Sequence, residues 1–375
     1  MKKKVAILTL PLIYNYGAIL QAYALQQSVK KFGNECWLID KVLPVYPYYR
    51  RPLSIISRII GKYLRGEKDY EIIPYWISKK TERIISKNTR KFVDKNIFPK
   101  TKPILNLSES DDKYDVYLVG SDQVWRKSVT LKMKDYLFGF VGSGKKKCSY
   151  AASFGVDHWE FNAHETNQIK KLFKSLDIIT VREDSAIGML KQNIGVDAVQ
   201  VLDPTMLLTK KEYCSLIADM PTIGDESFIF SYILDNNSDK EQMVNKLSLR
   251  SSLPKYSVMP KSSPNYGVNK EDCIYPGVEK WLKGFRDCKY VVTDSFHGTV
   301  FSIIFNKPFF VLRNNKRGNT RLESLMRIFN LEHRIVSDEA EVESRLSEQI
   351  DWIKVNNILE KKRTFSLGLL EKMID

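Results

Sequence analysis

Short β-branched apolar runs alternate with stretches of helical period along most of the chain. Val5 to Leu10 reads as a buried strand stopped by Pro11. A turn over Tyr14 to Gly17 leads into an amphipathic helix, Ala18 to Phe32, with Gly33 as its stop. Cys36 to Asp40 is the next strand, so the chain opens as a βαβ unit, which requires a parallel sheet and a right-handed crossover. Residues 50–100 read as basic helices inserted into this rhythm. The rhythm resumes with strands at Val116 to Val119, Cys148 to Ser153, Ile178 to Val181 and Val199 to Leu202, and a helix at Asp184 to Gln192. A second series starts with strand Phe228 to Leu234, turn Asp235 to Ser238 and helix Lys240 to Leu249. Strand Tyr256 to Met259, helix Pro276 to Lys289, strand Tyr290 to Thr293, helix Thr299 to Phe305 and a last strand, Pro308 to Leu312, complete it.

The pattern predicts an α/β protein with two Rossmann-like domains in tandem. The first covers 1–212, with the basic insertion at about 50–100. The second covers 226–340, and Lys210 to Asp225 is the expected linker. A charged helical segment, 341–375, is expected to pack back across the domain boundary. A chain of 375 residues suits two such units. Each sheet offers loops and helix N-termini at the C-terminal ends of its strands, so the active site is expected in the cleft between domains.

Composition narrows the class. No window of 18 apolar residues exists, so no membrane-spanning helix is expected. The apolar run at the start is short, meets Pro11 and lacks a small-residue cleavage site, so a cytoplasmic location is expected. Five scattered cysteines without CxxC spacing read as free thiols, and four histidines without metal spacing argue against a metal site or a metal cofactor. The net charge of +15 is concentrated in the basic region 41–102, where aromatics are interleaved. Three readings of that region compete: a solvated helical surface, attraction to anionic lipid head groups or a diphosphate-linked substrate, and nucleic acid. The last ranks lowest, because no nucleic-acid module is visible.

Five constellations carry candidate chemistry. Asn15-Tyr16-Gly17 opens the first helix and offers anion-friendly N–H groups, although a plain connecting turn reads equally well; without a GxGxxG, a dinucleotide site is not supported. Gly120-Ser121-Asp122 follows a strand end, where Asp122 either activates a sugar hydroxyl or merely caps the next helix. Arg182, at another strand end, is placed to grip phosphate or carboxylate, or to pair with Glu183 or Asp184. The strongest is Thr293-Asp294-Ser295-Phe296-His297-Gly298-Thr299, a polar turn between a β-branched strand and a helix. There His297 is placed to act as acid or base or to hold a phosphate, and a core histidine is the bland alternative. Arg313 to Arg321 is a basic loop after the last strand, containing Arg317, and is consistent with an anionic donor or with a solvated loop.

Taken in order, "NYGAILQAYAL" (15–25), "DVYLVGSDQVW" (115–125), "YAASFG" (150–155), "VREDSA" (181–186), "VLDPTMLL" (201–208) and "VVTDSFHGTVFSIIFNKPF" (291–309) resemble the polysaccharide pyruvyl transferases. The resemblance implies a GT-B-like fold and phosphoenolpyruvate as donor substrate, with no cofactor. It also implies a ketal product on a sugar of a surface polymer or of its lipid-linked precursor. It places the family histidine on His297 and the donor-contacting arginine on Arg182. Many members carry an Arg two residues before that histidine, where this chain has Ser295; Arg313, Arg317 and Arg321 are the candidates to supply the charge. Asp122 and Asp294 are candidates for activating hydroxyls. A lipid-linked acceptor would suit peripheral contact with the inner membrane face through 41–102. The competing readings are a GT-B-type glycosyltransferase with a nucleotide-sugar donor and a non-enzymatic binder of anionic polymer or lipid.

Overall fold

The computed structural model describes residues 2–42, 78–107, 113–130, 132–224, 227–265, 267–314 and 319–375. They contain two wholly parallel sheets. The first has the order β2-β1-β3-β4-β5-β6, from β1 (Lys4–Leu8), β2 (Glu35–Leu38), β3 (Val116–Val119), β4 (Lys146–Ala152), β5 (Ile178–Val181) and β6 (Val199–Gln200). All four residues of β3 are buried, as expected of a central strand covered on both faces.

Helix α1 (Tyr16–Lys31) makes the crossover from β1 to β2. Asn15 caps it by accepting the Ala18 N–H, and the chain leaves it through Gly33 at φ +79°, a conformation open to glycine. The basic helices of the insertion include α2 (Lys79–Ile85) and α3 (Lys87–Asn96); residues 43–77 of that insertion lie outside the described residues. Helix α4 (Ala163–Phe173) was not expected from periodicity, although Asn162 and Glu165 form the reciprocal capping box that marks its start. Helix α5 (Ser185–Asn193) joins β5 to β6. The stretch read as linker opens with α6 (Lys210–Ser215), which Thr209 and Glu212 cap reciprocally and buried Tyr213 anchors.

The second sheet has the order β11-β10-β9-β7-β8, from β7 (Ile229–Tyr232), β8 (Lys255–Tyr256), β9 (Tyr290–Thr293), β10 (Phe309–Leu312) and β11 (Ile335–Val336). Its helices are α7 (Ser238–Ser251), α8 (Val278–Asp287), α9 (Phe296–Ile304), α10 (Thr320–Phe329) and α11 (Glu339–Arg345). Several boundaries differ from the sequence reading; the strand read at Tyr256 to Met259, for one, is β8 at Lys255–Tyr256. The sheet does not end at Leu312, because β11 pairs with β10 beyond it, and two residues are too few to show a period. Helix α9 starts before Thr299, because the Ser295 hydroxyl accepts the Gly298 N–H and caps it there. Helix α10 begins inside the segment read as a basic loop.

Both sheets reverse strand order, the first between β1 and β3 and the second between β7 and β9. Ligands of open α/β sheets bind at such switch points, beyond the C-terminal strand ends. The two halves are joined by one continuous core in which Tyr16 and Ile19 of α1 meet Trp281 of α8 and Phe301 of α9. Tyr16 stacks on Trp281 at 5.6 Å, and its hydroxyl lies 3.1 and 3.0 Å from the Val258 and Pro276 carbonyl oxygens. Arg327 of α10 donates to both oxygens of Asp184, at 3.1 and 2.9 Å. The final helix, α12 (Trp352–Ile374), contacts α1, β4, α10 and the helical turn Pro204–Leu207, where Arg363 Nε donates to the Met206 carbonyl at 2.7 Å. No described helix is long and apolar enough to cross a membrane.

Candidate active site

The loops at the two switch points face each other across a narrow cleft. Asn15, Asp122 and Gln123 line it from the first sheet, and Leu234, Asp294, Ser295, Phe296, His297, Arg321 and Leu322 line it from the second. Helices α1 and α9 both start here, at Asn15 and Ser295. Two helix N-termini therefore bring partial positive charge and N–H groups to one place, which favours an anion.

His297 sits in the first turn of α9 and is 6% exposed. Its Nε2 is buried and faces Asp203 Oδ2 at 3.6 Å. The opposite edge of the ring abuts α1: a Cβ on Gly17 would lie 2.0 Å from His297 Nδ1. The close approach of the two helices thus requires glycine at position 17.

Asp203 was quoted in the sequence reading only as part of "VLDPTMLL", yet it organises the floor of the site. It caps the turn Pro204–Leu207, where its Oδ1 accepts the Thr205 N–H at 3.0 Å and the Thr205 hydroxyl at 2.7 Å. Its Oδ2 accepts Arg182 Nη1 at 3.0 Å and the Ser121 hydroxyl at 3.3 Å. Burial alone would raise the Asp203 pKa, but the charges of His297 and Arg182 and the Thr205 hydroxyl outweigh it and hold the carboxyl well below the usual range. The legible signal was an Asp-Pro pair just past a strand, which reads first as an ordinary helix cap.

Arg182 does not line the cleft. It lies behind it, 4% exposed, between Asp203 (3.0 Å), Asp122 (3.4 Å) and Glu183 (4.0 Å), with its guanidinium 4.3 Å from the centre of the Phe296 ring. Desolvation works against the cation, but Asp122, Asp203 and Glu183 raise its pKa overall. Its geometry is that of a post bracing three carboxylates. Asp122, at φ +69°, reaches the cleft from the other side of this post.

Asp294 borders the cleft but is tied to its own sheet. Its oxygens accept the Leu234 and Asp235 N–H groups (2.7 and 3.1 Å), Lys240 Nζ (2.7 Å) and Asn314 Nδ2 (2.8 Å). Four donors occupy its oxygens, and its observed work is to pin the loop after β7 against the start of α9. Ser121 and Gly120 lie beneath the cleft: Ser121 N–H donates to Gln21 Oε1 at 2.8 Å, and any Cβ at Gly120 would meet the Tyr150 carbonyl at 2.1 Å. Gly298 and Thr299 are internal to α9, and Tyr16 serves the contact between the halves.

Of the two described arginines among those proposed to replace the charge absent at Ser295, Arg321 lines the cleft and Arg313 does not. Arg313 is exposed and pairs with Glu323 at 3.2 Å; Arg317 lies outside the described residues. Arg321 is 7% exposed. Burial, and next the charge of Arg182, lower its pKa to about 10, so it remains a cation at neutral pH in surroundings that an anion would relieve. Among the described residues no group of three His, Cys, Asp or Glu is placed to hold a metal ion.

No curated protein matches the chain in sequence. Among solved structures, Arabidopsis thaliana UGT89C1 complexed with UDP-L-rhamnose superposes with a TM-score of 0.52 at 10% identity, covering 100% of both chains. A Neisseria meningitidis UDP-GlcNAc 2-epimerase bound to UDP-GlcNAc gives a TM-score of 0.49 at 13% identity, over 99% of this chain and 100% of that one. The first likeness speaks for the fold alone, a GT-B-like pair of α/β units. The polysaccharide pyruvyl transferase family model matches residues 15–316, which takes in the loops of both switch points and His297, and the chain belongs to that family.

Proposed function

We propose that this protein transfers pyruvate from phosphoenolpyruvate to a pair of sugar hydroxyls, forming a cyclic ketal. One observation carries the reading: His297, backed by the buried Asp203 carboxylate, shares a cleft with the Arg321 cation and two helix N-termini. Phosphoenolpyruvate carries a phosphate and a carboxylate, and these cations and N–H groups suit both.

In the proposed reaction a proton adds to the methylene carbon and leaves an oxocarbenium-like centre at C2. One sugar hydroxyl attacks that centre and loses its proton. The C2–O bond to phosphate breaks, and the second hydroxyl closes the ring and loses its own proton. Of the two hydroxyl protons, one balances the proton now in the methyl group and the other leaves on hydrogen phosphate. Asp203 favours the proton on Nε2 of His297, and the ring, which borders the cleft, is the candidate to exchange a proton with substrate. Arg321 and the ends of α1 and α9 would stabilise the phosphate as it departs. Asp122, braced by Arg182, lines the cleft and is the candidate to orient a hydroxyl.

The test is donor choice. Mixed with a panel of sugar acceptors, the protein is expected to release inorganic phosphate from phosphoenolpyruvate and no nucleotide from UDP-sugars. Release of UDP instead would move the site to glycosyl transfer. A second expectation concerns position 17. Gly17→Ala adds a methyl group where the His297 ring now stands, while alanine is a better helix former than glycine. Transfer is expected to fall by roughly 10²-fold with helix content unchanged, because a displacement of this size misaligns the reacting groups. Wild-type rates in Gly17→Ala would show that the ring's position is unimportant.

A further inference from the structure

Helix α1 presents two residues to the site, one turn apart. Gly17 abuts the His297 ring, and Gln21, four positions on and fully buried, lies on the same face. The Gln21 amide uses both of its ends. Its Oε1 accepts the Ser121 N–H at 2.8 Å and lies 3.2 Å from the Ser121 hydroxyl. Its Nε2 donates to the Thr9 hydroxyl and to the Ala18 carbonyl, both at 2.9 Å. The Thr9 hydroxyl, having accepted that bond, donates its own proton to the Ser121 carbonyl at 3.2 Å. One buried side chain thus holds Ser121 at its N–H directly and at its carbonyl through Thr9.

The next residue is Asp122. It stands at φ +69°, in the left-handed region that residues other than glycine seldom adopt. Such a conformation persists where its surroundings fix it. On the far side, the Asp122 carbonyl accepts the Val124 and Ser153 N–H groups at 2.7 and 3.1 Å. On the near side the hold is Thr9 and Gln21. The Asp122 carboxylate borders the cleft, whereas Thr9, Gln21 and Ser121 do not line it.

We infer that Gln21 is a positioning residue for the transfer: from α1 it sets where Asp122 stands relative to His297. The inference rests on the transferase reading above, in which Asp122 orients an acceptor hydroxyl. An amide suits the place because the side chain must accept from a backbone N–H and donate to a hydroxyl at once. An ionised glutamate cannot donate, and methionine does neither. Since Gly17 lies one turn earlier on the same helix, one element fixes both the proposed acid–base group and the proposed hydroxyl-orienting group.

The test is Gln21→Met, which keeps the length of the side chain and removes both ends of the amide. Transfer is expected to lose roughly 10- to 10²-fold in kcat, the scale of a small misplacement of an orienting group. Phosphoenolpyruvate is expected to bind within about twofold of the wild type by calorimetry, because its proposed ligands are untouched. In an Asp122→Gly background, which removes the carboxylate and accepts the positive φ, Gln21→Met is expected to cost less than about twofold more. Thr9→Val is expected to share the loss in kcat, and Thr9→Ser, which keeps the hydroxyl, to restore it. Hydrogen exchange at the Ser121 amide is expected to quicken in Gln21→Met. An unchanged kcat in Gln21→Met would overturn the inference. So would the full loss recurring in the Asp122→Gly background, or a Thr9→Val kcat equal to that of the wild type. If thermal unfolding shows that Gln21→Met does not fold, the Thr9 pair decides by the same two measurements. A wild type that transfers nothing from phosphoenolpyruvate would remove the transferase reading instead, and Ser121 exchange would then decide whether Gln21 holds the loop.

Discussion

His297→Ala is expected to lower pyruvyl transfer by about 10²–10⁴-fold, the usual worth of a positioned general acid or base. The ring borders the cleft and has one buried nitrogen facing a carboxylate, a placement that suits proton exchange with a substrate there. The loss should appear mainly in kcat, because the anion-binding groups Arg321 and the two helix starts remain. His297→Asn is expected to behave like His297→Ala, since an amide keeps some polarity but cannot exchange a proton near neutral pH. Steady-state rates with phosphoenolpyruvate at saturating acceptor check this, and a loss under about fivefold would end the acid–base role.

Asp203→Ala is expected to have the largest effect on stability. It removes an acceptor from Arg182, Ser121 and Thr205 at once. The Arg182 guanidinium would remain buried with longer contacts to Asp122 and Glu183, and breaking a buried charged pair in this way costs about 3–5 kcal/mol. Denaturant unfolding measures it. Asp203→Asn separates folding from chemistry, because it keeps the size of the side chain and removes its charge. The depressed pKa of Asp203 also fixes the sign of a pH effect. Its contribution is fully present above the unfolded-state value near ~3.9 and is lost as pH falls through the lower folded value. Wild type should therefore keep this increment through mildly acid solution and lose it only in strong acid, while Asp203→Asn lacks that acid limb. An acid limb unchanged in Asp203→Asn would contradict the assignment.

Much of the architecture was legible because parallel strands buried on both faces announce themselves as apolar runs: β3, β5 and β9 fall where the runs lie. Short edge elements were not legible. β8 and β11 have two residues each, and a pairing partner rather than a pattern defines them. The strand-end turns carry Asn15, Asp122 and His297, and these meet Arg321 in one cleft. What sequence could not reveal was direction. Arg182 and Asp294 sit at strand ends beside the site, yet their charges are directed to protein groups, and only the three-dimensional partners disclose it. Asp203 was hidden for the opposite reason: its capping role is ordinary and visible, whereas its approach to His297 spans ninety-four residues of sequence and both halves of the molecule.

The most direct test of the central claim is calorimetric binding of phosphoenolpyruvate to the wild type and to Arg321→Gln, with UDP-sugars titrated in parallel. Arg321 is the cleft arginine whose burial disfavours its own charge, so an anionic ligand should gain most there. The account predicts that phosphoenolpyruvate binds the wild type, that Arg321→Gln weakens it by at least about tenfold, and that UDP-sugars do not compete. Silence with phosphoenolpyruvate together with tight binding of a UDP-sugar would contradict it.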